Sequence, residues 1–247
     1  MDFFNGQPCW VDIMVKDAER QTAITSFLSK LFGLRWEVGG PETGYYGMGF
    51  IGDAPVMAVG QNADGAGFPV VYLHCDDIAA SAAAVTSAGG TVFVGPMQVM
   101  DAGSMALATD PNGVVFGMWQ GNLMKGFGVD NVPGAFNWFD QPSADPDRAA
   151  AFYQAAFGLG YNDMQAGGIL THGEHWVASL SSLYEGMAPV WNPIFTSADL
   201  VATEARAAEL GCTLLVSRMQ VPGGLISSVQ DAKSGLVVTV YEHTEAA

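Results

Sequence analysis

The chain has 247 residues, 49% hydrophobic and 14% charged, with 9 Lys+Arg against 25 Asp+Glu and a formal net charge of −16. That composition excludes a disordered polyampholyte. So negative a surface repels phosphate backbones and anionic lipid, which argues against nucleic-acid and membrane-surface roles. Mean hydropathy is +0.22, yet no run reaches the roughly 18 apolar residues of a membrane helix. The start, Met1-Asp-Phe-Phe-Asn-Gly6, lacks the basic residues and apolar core of a secretory signal. Cys9, Cys75 and Cys212 are odd in number and show no zinc-like spacing. A cytoplasmic protein with reduced thiols is expected.

In chain order, Val11, Ile13 and Val15 alternate with Trp10, Asp12, Met14 and Lys16, the mark of a strand with two distinct faces. A helix is predicted over 19–32, stopped by Gly33. Strands at 45–51 and 55–59 flank a Gly52-Asp53 hairpin turn. The cycle restarts with a strand at 70–75 and an Ala-rich helix at 77–88. Gly89-Gly90 breaks that helix before strands near Thr91, near Met105 and at 114–119. Residues 121–134, rich in Gly and Pro, read as a linker. Beyond it come strands near Phe136 and Val190 and helices from Pro146 and Asp199.

The two halves repeat one another. Phe27-Leu-Ser-Lys-Leu-Phe-Gly-Leu-Arg-Trp36 recurs as Phe152-Tyr-Gln-Ala-Ala-Phe-Gly-Leu-Gly-Tyr161, and Met97-Gln-Val99 as Met219-Gln-Val221. Such self-similarity sets the architecture. The expectation is an α+β chain of four tandem βαβββ units, with domains at 1–120 and 135–247. No Gly-x-Gly-x-x-Gly after a strand, no P-loop and no Gly-x-Ser-x-Gly is present, so nucleotide binding and serine hydrolysis lack support.

Pro8-Cys-Trp-Val-Asp-Ile13, Phe32-Gly33, Asp76-Asp77 before a helix, and Asp110-Pro-Asn-Gly-Val-Val-Phe-Gly-Met-Trp-Gln120 resemble the vicinal oxygen chelate superfamily. In the second half Asp145-Pro-Asp-Arg-Ala-Ala-Ala-Phe-Tyr153 and Phe157-Gly158 carry the same resemblance. That superfamily includes glyoxalase I, bleomycin-resistance proteins and extradiol dioxygenases. The tandem form is similar to actinobacterial glyoxalase-like proteins, some of which accompany aromatic polyketide biosynthesis. The resemblance implies two domains of curled mixed sheets, each forming a cup.

It also implies a divalent metal, held by His, Gln or Glu on the first and last strands of contributing units. The first-strand positions correspond to Trp10, Val70, Trp138 and Asn192, and the last-strand positions to Ala58, Gly117, Ser179 and Thr239. None is a metal-binding type. His172 and His175 fall in a predicted hairpin turn and His243 near the C-terminus, which leaves His74 on a strand face that could look into a cavity. No metal or other cofactor is expected.

The strand faces turned into the cups bear the candidate site. The ligand-binding candidates are Trp10, Met14, Tyr72, Trp119, Trp138, Asn192, Thr239 and Tyr241; the catalytic candidates are Asp12, His74 and Asp140. Large rings and thioethers with few polar groups suit a flat apolar molecule, and Gly117 leaves room for it. Trp10 and Trp138 either stack on that ligand or plug the cup as core. Asp12 and Asp140 either accept structural hydrogen bonds or work as general acid and base. Trp10, Asp12 and His74 are expected to share a ligand. Tyr45-Tyr46 forms either a mobile rim or an ordinary strand start. The expected function is metal-independent binding of an aromatic or polyketide-like molecule, by a tailoring, accessory or sequestering protein acting as monomer or homodimer. If it is an enzyme, metal-free acid/base cyclisation, ring opening or hydration fits. The alternative is a metal-dependent lyase, isomerase or dioxygenase.

Overall fold

A computed structural model describes residues 1–164, 167–184 and 186–244. Its elements follow the order strand, helix, three strands, four times over. The first group is β1 (Pro8–Val15), α1 (Ala18–Phe32), β2 (Arg35–Val38), β3 (Gly47–Ile51) and β4 (Ala54–Gln61). The second is β5 (Pro69–His74), α2 (Ile78–Ser87), β6 (Thr91–Val99), β7 (Gly103–Thr109) and β8 (Val115–Gly121). The third is β9 (Phe136–Ser143), α3 (Pro146–Phe157), β10 (Gly160–Met164), β11 (Gly167–His172) and β12 (His175–Ser182). The fourth is β13 (Asn192–Thr196), α4 (Leu200–Glu209), β14 (Thr213–Val221), β15 (Gly224–Gln230) and β16 (Val237–His243). Arg35–Val38, mostly exposed, shows no alternation of burial to betray it as a strand. The strand expected near Val190 begins at Asn192.

Each helix opens on an aspartate that accepts first-turn N–H groups. Asp17 takes that of Arg20, Asp77 those of Ala79 and Ala80, Asp145 that of Arg148 and Asp199 that of Ala202. These donors have no intrahelical partner, and a negative charge there also suits the helix dipole. α1 and α3 end on Gly33 and Gly158 at φ 79° and 71°, left-handed positions open to glycine.

The described strands form two eight-stranded mixed sheets, in the orders β2-β3-β4-β1-β5-β8-β7-β6 and β10-β11-β12-β9-β13-β16-β15-β14. Within each group the first strand runs parallel to the last: β1 to β4, β5 to β8, β9 to β12 and β13 to β16. The remaining neighbours inside a group are antiparallel hairpins. The architecture is α+β.

Compaction follows a different division from the sheets. One compact unit comprises Met1–Val11, Val70–Gly126 and Phe139–Asn192. The other comprises Asp12–Pro69, Phe127–Trp138 and the chain from Pro193 onward. In the first unit Phe116 meets Phe152, Tyr153 and Phe157 edge-on, with ring centroids 5.9 to 6.0 Å apart. Asp110, buried in its Asp-Pro-Asn-Gly turn, accepts from the N–H groups of Asn112 and Val114 and from Gln141 Nε2 at 2.6 Å. In the second unit Phe32 stacks on Phe195 at 4.5 Å, and Ile13, Leu28 and Met57 line one small apolar gap. Cys9, Val11, Ile13 and Val15 are almost wholly buried, and Trp10 and Asp12 on the opposite face of β1 are buried as well, so both faces of the strand are covered.

No described helix is long and apolar enough to cross a membrane. Removing one cap tests the local logic of the fold. Asp77→Ala should destabilise the protein by about 1 kcal/mol and Asp77→Asn by much less, read from denaturant midpoints.

Candidate functional site

The parallel strand pairs decide which residues stand side by side. Asp12 lies opposite Ala58, Tyr72 opposite Gly117, Asp140 opposite Ser179 and Ile194 opposite Thr239. The first-strand partners of those four positions are therefore Asp12, Tyr72, Asp140 and Ile194, two residues beyond Trp10, Val70, Trp138 and Asn192. Single-strand patterning finds the face but not the register, because a slip of two residues preserves the face.

Asp12, Met14 and Tyr46 gather in the second unit. Asp12 is 8% exposed, and Tyr46 donates its phenolic hydrogen to Asp12 Oδ1 at 2.6 Å. A Cβ on Gly60 would lie 2.9 Å from Met14 Cε and 3.1 Å from Tyr46 Cδ2, so thioether and ring both rest against bare backbone. The segment bearing Tyr46 is tied down by buried Gln21 of α1. Its Nε2 donates to the carbonyls of Tyr45 and Val59, both at 2.7 Å, and its Oε1 accepts from Gln61. Tyr45 itself is exposed, at a φ of 52°. Tyr46 thus belongs to the carboxylate. The adjacent Tyr45-Tyr46 pair in the sequence does not distinguish it from its neighbour.

Asp140 occupies the corresponding strand position in the first unit but is held differently. Ser179 Oγ donates to Oδ1 at 2.5 Å and Ser181 Oγ to Oδ2 at 2.7 Å. Burial pushes its carboxyl above the usual carboxylate range, and the two hydroxyls offset this only in part. Both serines come from β12 at alternate positions, a spacing too common among strands to mark a site.

Also in the first unit, Tyr72 is 5% exposed and its ring covers Gly117. A Cβ on Gly117 would lie 2.2 Å from Tyr72 Cδ1. The room expected at this glycine is filled by the chain's own tyrosine. His74 Nε2 lies 3.3 Å from Asp76 Oδ1, while its Nδ1 is buried without a hydrogen-bond partner. Its ring centroid is 6.1 Å from that of Phe3. Trp119 donates its indole N–H to the Met124 carbonyl at 2.8 Å, which pins the loop after β8. Trp10 is 3% exposed, and Asn192 is partly buried at the start of β13. His172 stacks on Phe4 at 4.1 Å and pairs across the hairpin with His175, both exposed.

In the second unit Trp138 is partly buried, and Thr239 hydrogen-bonds with Ser228 at 3.0 Å. Tyr241 donates to the Gly223 carbonyl at 2.7 Å, lying beside His243. Trp10, Tyr72, His74, Trp119, Asp140 and Asn192 therefore belong to the first unit, and Asp12, Met14, Trp138, Thr239 and Tyr241 to the second.

A divalent metal of the kind the superfamily uses needs three or so nitrogen or oxygen donors converging on one point. Among the described residues, no group of three or more His, Cys, Asp or Glu is placed to hold one. Asp12 has a methyl group beside it and Tyr72 a glycine. Both oxygens of Asp140 already accept hydrogen bonds, and Ile194 is a hydrocarbon. These residues do not fit the metal.

Two measurements probe these contacts. Gly117→Ala should cost about 1–3 kcal/mol in denaturant unfolding as the ring of Tyr72 is displaced, and less in a Tyr72→Ala background. The second follows from the raised Asp140 pKa. Stability is fullest below the ordinary carboxylate range and falls as pH rises through the folded-state value, because the native state holds that proton longer. Asp140→Asn should flatten the fall that begins above the ordinary carboxylate value, relative to the parent.

Comparison with known proteins follows the same lines. No family model matches the chain. It is 31% identical to a protein of Mycobacterium tuberculosis named as a glyoxylase, CFP32, over 98% of this chain and 96% of that one. It is 30% identical to the anthracycline biosynthesis protein DauV of Streptomyces sp. strain C5, over 99% and 96%. The similarly named DnrV of Streptomyces peucetius is 31% identical over 93% and 90%. Among solved structures, the Mn(II)-bound glyoxalase of Novosphingobium aromaticivorans superposes with a TM-score of 0.71 at 18% identity, over 98% of this chain and 83% of that one. The 2,3-dioxygenase LapB of Pseudomonas sp. KL28 also reaches 0.71, at 10% identity over 99% and 94%. The fold is theirs, and with relatives 30–31% identical over nine-tenths or more of both chains, the chain belongs to the glyoxalase-like proteins of the vicinal oxygen chelate superfamily.

Proposed function

We propose that this protein binds an apolar, aromatic or polyketide-like small molecule without a metal. In this reading it acts in the cytoplasm, as monomer or homodimer, in the tailoring, support or sequestration of a natural product. The observation that carries the reading is the chemistry of the paired strand positions. Asp12, Tyr72, Asp140 and Ile194 stand beside Ala58, Gly117, Ser179 and Thr239, so the two carboxylates have neither an imidazole nor a second carboxylate beside them, and a metal needs several such donors converging on one point. The cluster of Asp12, Tyr46 and Met14 supplies a carboxylate, a phenol and a thioether, suited to orienting a flat ligand through one polar contact. Two relatives bear names from anthracycline biosynthesis, which supports an aromatic polyketide as the ligand class. If turnover accompanies binding, Asp12 is the group to take or return a proton.

The glyoxylase name of the mycobacterial relative favours a second reading, a metal-dependent lyase or isomerase. Titration with an anthracycline, followed by quenching of tryptophan fluorescence, separates the two. Binding that is unchanged by EDTA, and weakened about tenfold in Met14→Ala through lost apolar contact, is the expected result. Binding or turnover that requires added Mn or Zn would establish the second reading and overturn the first.

A further inference from the structure

We infer that Asp12 recognises the hydroxyl of a planar phenol or enol, and that Tyr46 is the specificity-determining residue, because its own ring and hydroxyl fill the place such a ligand takes. The inference rests on the small-molecule reading above and names the functional group that reading leaves open.

Three observations meet at this point. A phenolic O–H is bonded to Asp12 Oδ1 at 2.6 Å, a length typical of an O–H donor on a carboxylate. An aromatic ring already rests beside Met14 against the bare backbone of Gly60, where a Cβ would approach both side chains within 3.1 Å. The absent side chain at residue 60 therefore leaves room for a flat ring beside Met14, and a Cβ there would crowd it. Finally, Tyr46 is only partly buried, at the end of a segment whose Gly44 and Tyr45 both have left-handed backbone, with φ of 65° and 52°. Gln21 fixes the neighbouring backbone through the Tyr45 carbonyl, so the ring can turn out to solvent about its own side-chain torsions without unravelling the strand.

Exchange of one phenol for another conserves the hydrogen bond to Asp12 and the packing on Gly60. Selectivity then comes from the partner that lacks the hydroxyl, since its binding would leave a buried carboxylate oxygen without that donor. An apolar ring without the hydroxyl has no means of displacing Tyr46.

The probes are 2-hydroxyanthraquinone, whose hydroxyl is free to donate, and its methyl ether, titrated against the full chain and against Tyr46→Phe, Tyr46→Ala and Asp12→Asn, each checked for folding by thermal melting. The hydroxy compound should bind the parent at least tenfold more tightly than the ether. Tyr46→Phe, which keeps the ring but not the competing hydroxyl, should tighten its binding severalfold, and Tyr46→Ala by more. Asp12→Asn should erase the preference between the two compounds. Equal binding of both to the parent, or no gain in either Tyr46 variant, overturns this inference and leaves the small-molecule reading standing. Failure of both compounds and of the anthracycline to bind any of the four proteins overturns both.

Discussion

The parallel pairing of the first and last strand in each βαβββ group is the constraint on which the site depends. It sets one residue of each strand beside one of the other, on the face that the helices leave uncovered. A metalloprotein of this fold would use those adjacent positions for imidazole and carboxylate donors. Here the same backbone arrangement presents a carboxylate beside a methyl, a tyrosine over a glycine, a carboxylate under two serines and an isoleucine beside a threonine, so two positions hold a carboxylate but neither has a second carboxylate or an imidazole beside it. A scaffold held by backbone hydrogen bonds and buried alternate residues tolerates such exchange, which is why fold and function separate so readily in this superfamily.

Carboxylates inside such a scaffold are stable only with donors. Asp12 has a phenol, Asp140 two serine hydroxyls, Asp110 two backbone N–H groups and a glutamine amide, and buried Asp231 the N–H and hydroxyl of Ser234. The same requirement thus serves two ends. Asp110 and Asp231 use backbone N–H groups of their own turns, which hold the chain before β8 and β16, and Asp110 adds the amide of Gln141 from β9. Asp12 and Asp140 draw on side chains from other strands. Side-chain donors can be exchanged for those of a ligand far more easily than backbone donors can, because a torsion suffices to withdraw them.

The two carboxylates at equivalent strand positions are not equivalent in their chemistry. Asp140 is gripped through both oxygens by short side chains rooted in the adjacent strand, and burial favours its protonated form. Asp12 receives a long aromatic donor from across the sheet, with a thioether and a bare glycine beside it. The first arrangement resembles a structural pin, and the second a docking point.

Much of the architecture was legible in the amino-acid order alone. Alternation in β1 and the glycine stops at Gly33 and Gly89-Gly90 are local signals, each produced by residues within one or two turns of one another, and the echo of Phe27–Trp36 in Phe152–Tyr161 shows the pattern repeating along the chain. They determined the order of strands and helices and the face on which Trp10, Asp12 and Met14 lie. Register and partnership are not local. Asp12 finds Ala58 and Tyr46, and Asp140 finds Ser179 and Ser181, across 34 to 46 residues of intervening chain. The grouping of the four βαβββ segments into compact units, which joins stretches from both halves of the chain, is longer in range still. Which tyrosine serves the carboxylate, and whether a glycine opens a cavity or receives a ring, was decided by tertiary packing, because those outcomes depend on how far one strand slides past another before its side chains interlock.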